Sequence, residues 1–226
     1  MAVSNVATAE RAGQQATRGE ARRFADLAAD PRSRNLVLGG VGLLLVIVAG
    51  AWFWNAAAKR KEAFAARALQ QARTVAESGN LPQAAAELQK ITETYAGTRS
   101  SVEALLVLNQ VRMVNGQTEL AVVGLREFLA KNPPVQFQAP ALGLLGVALE
   151  NTRKPAEAAD AYRKASEAAQ VDYLKSEYLL QEGRAYVAAG KPDLAAAAYL
   201  RIVKDYPETI SLTEAKVRLA ELTASR

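Results

Sequence analysis

The sequence predicts an all-α chain in which one membrane-spanning helix leads into a stack of paired helices. Three observations carry the prediction. Half of the 226 residues are apolar yet only 6% are aromatic, and alanine is abundant. Alanine loses no side-chain entropy in a helix, whereas a β-sandwich draws on β-branched and aromatic residues. Residues 36–54 carry no charge. After them, small and large apolar residues recur every 37 positions, as Ala84, Ala121, Ala158 and Ala195 do.

Residues 1–34 mix Ala, Gly, Gln and Ser with charges and hold almost nothing large and apolar, the composition of a polar, largely flexible tail. A short helix over 20–29, ahead of Pro31, is the one element expected within it. Segment 35–56 is expected to span a bilayer. Its uncharged run, LVLGGVGLLLVIVAGAWFW, goes from Leu36 to Trp54. At 1.5 Å rise per residue it reaches about 28 Å, close to the ~30 Å hydrocarbon thickness. The run is apolar on every face, so it lacks the polar stripe of a helix lying on a core. Trp52 and Trp54, the only two Trp, stand at its C-terminal edge, where indoles favour the interface. Arg32 and Arg34 flank one end, and Lys59, Arg60 and Lys61 the other. A signal peptide cleaved after Ala58 is the alternative, since Ala56 and Ala58 frame an A-x-A-like site; against it, the run exceeds a usual signal core and 35 residues precede it. Charge leaves the orientation open. Five cations lie within twenty residues on either side, and large domains cross regardless of charge.

The net charge of +5 divides unevenly. Residues 1–35 carry six Arg against four acids, residues 59–62 three cations against one acid, and residues 63–226 nineteen cations against eighteen acids. The excess flanks the apolar run. A nucleic-acid-binding domain shows a basic face or stripe instead, so no nucleic-acid partner is implied. The chain has no His and no Cys, which excludes Cys/His zinc sites, thiol nucleophiles, histidine-based triads and disulfides. No G-x-x-x-x-G-K-[ST] loop is present, and Gly39, Gly40 and Gly42 lie inside the apolar run. Carboxylates stand singly. No catalytic residue, metal, cofactor or small-molecule substrate is indicated.

Residues 57–226 form the repeat region. Four residues after each alanine of the recurring column come Leu88, Leu125, Tyr162 and Tyr199, then three further on Ile91, Phe128, Ala165 and Ile202. Upstream, Gly79, Gly116, Arg153 and Gly190 align, preceded by Ala72, Asn109, Gly146 and Gly183, and by Ala68, Leu105, Leu142 and Leu179. Apolar positions at +3, +4 and +7 make one helical face. The glycine column ends a first helix in a left-handed turn. Asn80, Pro82, Pro155 and Pro192 start a second helix. Each unit is thus two antiparallel helices whose close approach demands the small columns. Stacked units bury what no unit buries alone. Units are expected to start near 65, 102, 139 and 176, with a capping helix at 213–226 whose outer face carries Glu214, Lys216, Arg218 and Glu221.

These columns resemble the tetratricopeptide repeat. The fourth unit reads Leu179, Gly183, Tyr186, Ala195, Tyr199, Pro207, and the third Leu142, Gly146, Leu149, Ala158, Tyr162, Ala165. The second departs with Asn109 and Arg112, and the first keeps mainly Gly79, Ala84 and Leu88. The family's usual period is 34, so about three extra residues per unit are expected in the turns between units, where Pro133, Pro134, Val171, Asp172 and Tyr173 fall. The resemblance implies a non-catalytic, protein-binding α-solenoid. Its inner groove would use the second, fifth, ninth and twelfth positions of each first helix. Here those include Leu69, Arg73, Glu103, Leu106, Gln110, Met113, Val147, Glu150, Glu177, Leu180, Arg184 and Val187. The Lys/Asn cluster with which some members clamp a C-terminal carboxylate is replaced by Leu69, Arg73, Leu106 and Gln110.

A polar tail, one membrane helix, a basic stop and a repeat domain in that order resemble the bacterial inner-membrane family of ancillary Sec translocon subunits, whose repeat domain is grouped with a cell-division coordinator. The junction AWFWNAAAKRKEAFAARALQQA carries that resemblance. It implies a single-pass inner-membrane protein anchored in the lipid bilayer, with its tail cytoplasmic and its repeats periplasmic. Its partners would be translocon components and exported chains. A cell-envelope scaffold in division or outer-membrane assembly is the alternative, and an enzyme with an unrecognised site a third.

Overall fold

The computed structural model describes residues 31–224, and among them every regular element is helical. The helices are α1 (Pro31–Glu77), α2 (Leu81–Thr94), α3 (Arg99–Val114), α4 (Thr118–Ala130) and α5 (Val135–Asn151), followed by α6 (Pro155–Ala168), α7 (Asp172–Ala188), α8 (Pro192–Asp205) and α9 (Ser211–Ala224). The expected tail lies outside the described residues except for 31–34, which open α1, and so do the helix expected at 20–29 and the last two residues of the expected cap.

The chain divides into two compact units, Met1–Lys59 and Arg60–Arg226. In the first, α1 carries the apolar run. Leu43, Ile47, Trp52 and Trp54 on it are exposed. Among the described residues α1 is the one helix long and apolar enough to cross a membrane.

In the second unit the helices alternate as antiparallel pairs, each packed on its neighbours in sequence, with α3 also touching α5 and α7 touching α9. Ala84, Ala121, Ala158 and Ala195 are fully buried, as are Leu88, Leu125 and Tyr199, with Tyr162 nearly so. These columns form two apolar clusters. One joins Leu69, Ala72, Leu88, Ile91 and Leu108. The other runs from Val122 to Ala215.

The turns inside the pairs follow one design. Gly79, Gly116, Arg153 and Gly190 all have left-handed φ, at 86°, 77°, 60° and 68°. In three of them the next N–H reaches back five residues, from Gln117 to Arg112, Lys154 to Leu149 and Lys191 to Tyr186. That bond satisfies a carbonyl the helix end leaves orphaned. Asn80 then caps α2 by accepting from the Gln83 N–H, while Pro155 and Pro192 occupy the first turns of α6 and α8.

Two expectations need correction. First helices begin at Arg99, Val135 and Asp172, three to four residues earlier than the registers near 102, 139 and 176, and the cap begins at Ser211 rather than 213. The added residues of the 37-residue period are not in the turns between units, which are short. They lengthen the first helices, of 16, 17 and 17 residues against 13 or 14 in the second. Pro133 and Pro134 do lie in a turn, but Val171 is the residue before α7, and Asp172 and Tyr173 open it. An acid at that point suits the positive helix end.

Candidate protein-binding groove

The residues assigned to the groove lie on α1, α3, α5 and α7, the first helix of each pair. Their side chains divide into three sets. Leu69 and Leu180 are 3% and 4% exposed and belong to the two apolar clusters. This corrects their assignment: both face the core and are out of reach of a partner. Leu106 and Met113 are half-buried, whereas Gln110, Val147 and Val187 are exposed.

The third set is charged, and the structure pairs it internally. Arg73 on α1 reaches Glu103 on α3 at 3.8 Å, and Glu103 also holds Arg99 at 3.0 Å. Arg184 on α7 meets Glu214 on α9 at 2.5 Å, and Arg218 joins the same carboxylate at 3.3 Å. Hydrogen bonds from Arg184 hold the Glu214 carboxyl below its ordinary value against the opposing effect of burial, and Arg218 adds to them. Glu214 therefore turns inward toward α7, which corrects its placement on the outer face of the cap. Glu150 accepts from the Tyr162 hydroxyl at 2.8 Å; burial and that carboxylate both push the hydroxyl's pKa up. Glu177 accepts from Gln181 at 2.9 Å.

The two inter-helix pairs occupy equivalent places. Each joins the ninth position of one first helix to the second position of the next, thirty residues on. The two intervening steps break the rule. Gln110 is followed by Pro140, and Val147 by Glu177, so neither step holds an ion pair. This face thus carries charge clasps at its two ends. Between them lies a stretch presenting Leu106, Gln110, Met113, Pro140 and Val147, with Glu177 tied to its own helix. Pro140 sits inside α5 and has no N–H, so the carbonyl of Gln136 loses its usual helical donor. The arrangement suits an extended segment with aliphatic side chains and a backbone N–H to donate. Among the described residues no three His, Cys, Asp or Glu gather as a metal site.

Antiparallel helical pairs stacked on fixed small columns, each closed by a left-handed turn, define a repeat solenoid of the protein-interaction class. The chain belongs to the family described as the tetratricopeptide repeat-like domain, whose pattern matches residues 32–224. Among curated proteins none matches. Solved structures share the fold. MamA is 21% identical, with a TM-score of 0.54, over 68% of this chain and 83% of its own. A Podosopora anserina putative kinesin light chain with nearly identical TPR-like repeats is 18% identical, with a TM-score of 0.56, over 69% and 83%. A tetratricopeptide repeat protein from Parabacteroides merdae is 12% identical, with a TM-score of 0.56, over 71% and 60%. At these identities the likeness is one of fold.

Proposed function

We propose that the protein is a non-catalytic, membrane-tethered adaptor that binds extended apolar segments of other polypeptides, as an ancillary or chaperone-like factor at the bacterial Sec translocon. The observation that carries the reading is the aliphatic stretch between two charge clasps on the first-helix face. An exported chain is extended and carries aliphatic stretches, and it passes before it folds. The apolar run in α1 supports a bilayer anchor, since its side chains have no protein neighbours to bury them. Anchoring raises the local concentration of groove and ligand to about millimolar, so weak contacts suffice. In this reading the tail is cytoplasmic and the repeats periplasmic.

A photocrosslinking side chain at Val147, exposed in the middle of the stretch, tests the partner. The expected adducts are exported chains and translocon components. Adducts confined to septal or outer-membrane assembly proteins would replace this reading with that of an envelope scaffold. The side of the membrane is tested separately, because the chain has no Cys and any introduced thiol is unique. A charged maleimide added after opening only the outer membrane is expected to label Lys216→Cys and to miss Ser4→Cys. The reverse pattern overturns a role in export.

A further inference from the structure

The helix pairs give the array two edges. The turns inside the pairs, at 78–80, 115–117, 152–154 and 189–191, form one. They hold no large apolar side chain. The turns between the pairs, at 95–98, 131–134, 169–171 and 206–210, form the other, together with the first residues of α3, α5, α7 and α9. This second edge starts on α1, where the Lys61 ammonium donates to the Ala96 carbonyl at 2.8 Å and Glu62 accepts from the Arg99 N–H.

The second edge exposes apolar side chains in one unit after another. Val135 is 53% exposed, Val171 52%, Tyr173 51% and Ile210 76%. Tyr173 and Ile210 stand in one column of the repeat, 37 residues apart, and Val135 is next to Gln136 in the same column. Turns draw on Gly, Pro, Asn, Asp and Ser. Apolar residues exposed singly are ordinary, but these recur at successive turns of one edge. The charges around them have both signs. Arg60, Lys61, Arg99 and Lys131 lie toward the start of the edge and Asp205 and Glu208 toward its far end, while Lys175 is tied to Asp172 at 3.0 Å. The sequence places the apolar run next to this edge and not the other. Six residues of helix lead from Trp54 to Arg60. They rise about 9 Å, and the headgroup layer of a bilayer is roughly 5–8 Å deep.

We infer that the edge formed by the turns between pairs is a lipid-contacting surface, which lays Val135, Val171, Tyr173 and Ile210 into the headgroup layer of the bilayer that anchors the chain. A phenol ring with a polar tip suits that layer, as the indoles of Trp52 and Trp54 do. Each side chain contributes little alone, but the anchor keeps the edge at high local concentration beside the lipid, so weak contacts suffice. The mixed charge means that the contact is apolar and does not depend on anionic lipid. It stops the array from turning freely on its anchor, so the first-helix groove keeps one orientation. The inference rests on the anchoring proposed above and not on the identity of the groove's partner.

The test uses the full chain in phosphatidylcholine vesicles, with a polarity-sensitive dye on one introduced thiol, which is unique because the chain has no Cys. Vesicles with and without a nitroxide high on the lipid acyl chain are compared. Side chains at the interface sit about 5–10 Å into the boundary of headgroups and acyl chains, so the nitroxide is expected to lower the emission at Tyr173→Cys and Ile210→Cys at least about twofold. Val114→Cys, 75% exposed beside a turn of the opposite edge, is expected to keep its emission. All three side chains are exposed, so the variants keep the fold. A chain that floats with the vesicles but whose dye at Ile210→Cys emits as in water overturns the inference alone. A chain that does not float overturns the anchor and the inference with it. Equal quenching at Val114→Cys and Ile210→Cys overturns the choice of edge, and quenching that appears only with anionic lipid overturns the apolar contact in favour of one driven by charge.

Discussion

The ring of Tyr199 lies so close over Gly183 that a methyl group at that glycine would overlap the ring edge. Gly146 stands in the same relation to Tyr162, where an added Cβ would be 2.5 Å from a ring carbon. The two columns vary together along the array. Where the second residue is Tyr the first is Gly, and where it is Leu, as at Leu88 and Leu125, the first is Ala72 or Asn109. The contact is rigid ring against helix backbone, so it cannot relax by a rotamer change. Gly183→Ala is expected to lower stability by about 2–3 kcal/mol, at the upper end of overpacking costs. Adding Tyr199→Leu is expected to restore part of the loss. A double-mutant cycle by urea denaturation measures the coupling, and strictly additive effects would refute the steric account.

Arg153 holds a left-handed conformation that the other three turns give to glycine. A side chain there places Cβ close to the neighbouring carbonyl, at a cost of about 1–2 kcal/mol. Glycine removes that cost but adds some freedom to the unfolded chain. Arg153→Gly is therefore expected to raise stability by about 0.5–1 kcal/mol, and Gly190→Ala to lower it by about 1 kcal/mol. Thermal melting of the two variants checks the opposite signs.

The small columns and the left-handed turns are legible in the sequence because both follow from backbone requirements that repeat with a fixed period. The side of a helix on which a charged residue ends up is less so. Glu214 has exposed-looking polar neighbours in Lys216 and Arg218, and only its thirty-residue distance from Arg184, matching that of Glu103 from Arg73, marks it as inward-facing. Leu69 and Leu180 occupy groove positions of the repeat but are covered, because each packs into the cluster of its own unit.

Glu182 makes stability depend on pH. Its side chain is buried and one carboxylate oxygen has no hydrogen-bond partner. Burial pushes its pKa up from 4.5 to about 7, moderated by Arg201 of α8 and Arg163 of α6 and reinforced by Glu167 and Asp160 of α6. The folded state holds this proton more tightly than the unfolded state, so between these values folding takes up a proton. The contribution of Glu182 is most favourable below pH 4.5, falls as pH rises toward 7, and is level above that. The shift corresponds to about 3 kcal/mol. Glu182→Gln keeps the shape and removes the charge. It is expected to stabilise the protein by about 2 kcal/mol at pH 8 and to change little at pH 4. A variant with the same advantage at both values would show that charge is not the cause.

Glu62 ties the start of α3 to α1, and its loss is expected to act on that helix end first. Its carboxylate accepts from the Arg99 N–H at 2.7 Å, the Ser100 N–H at 3.0 Å and the Ser100 hydroxyl at 2.6 Å. Two of the donors are backbone groups at a helix N-terminus, which have no partner within the helix. Burial alone would push this carboxyl's pKa up, but the hydrogen bonds from Ser100 and Arg99 outweigh it and hold the value below 4.5. The stabilisation is therefore present above pH 4.5 and fades as pH falls through the lowered value. Thr98, the cap on α3 itself, serves only the Ser101 N–H, at 3.1 Å. It cannot replace the two bonds that Glu62 supplies. Glu62→Ala is expected to cost about 2 kcal/mol, in the range of a lost charged cap, and Glu62→Gln less, since an amide oxygen still accepts. Hydrogen exchange locates the effect: the Arg99 and Ser100 amides should lose protection while those of α8 keep theirs. Uniform loss across the array would mean that Glu62 supports the whole stack and not the start of α3.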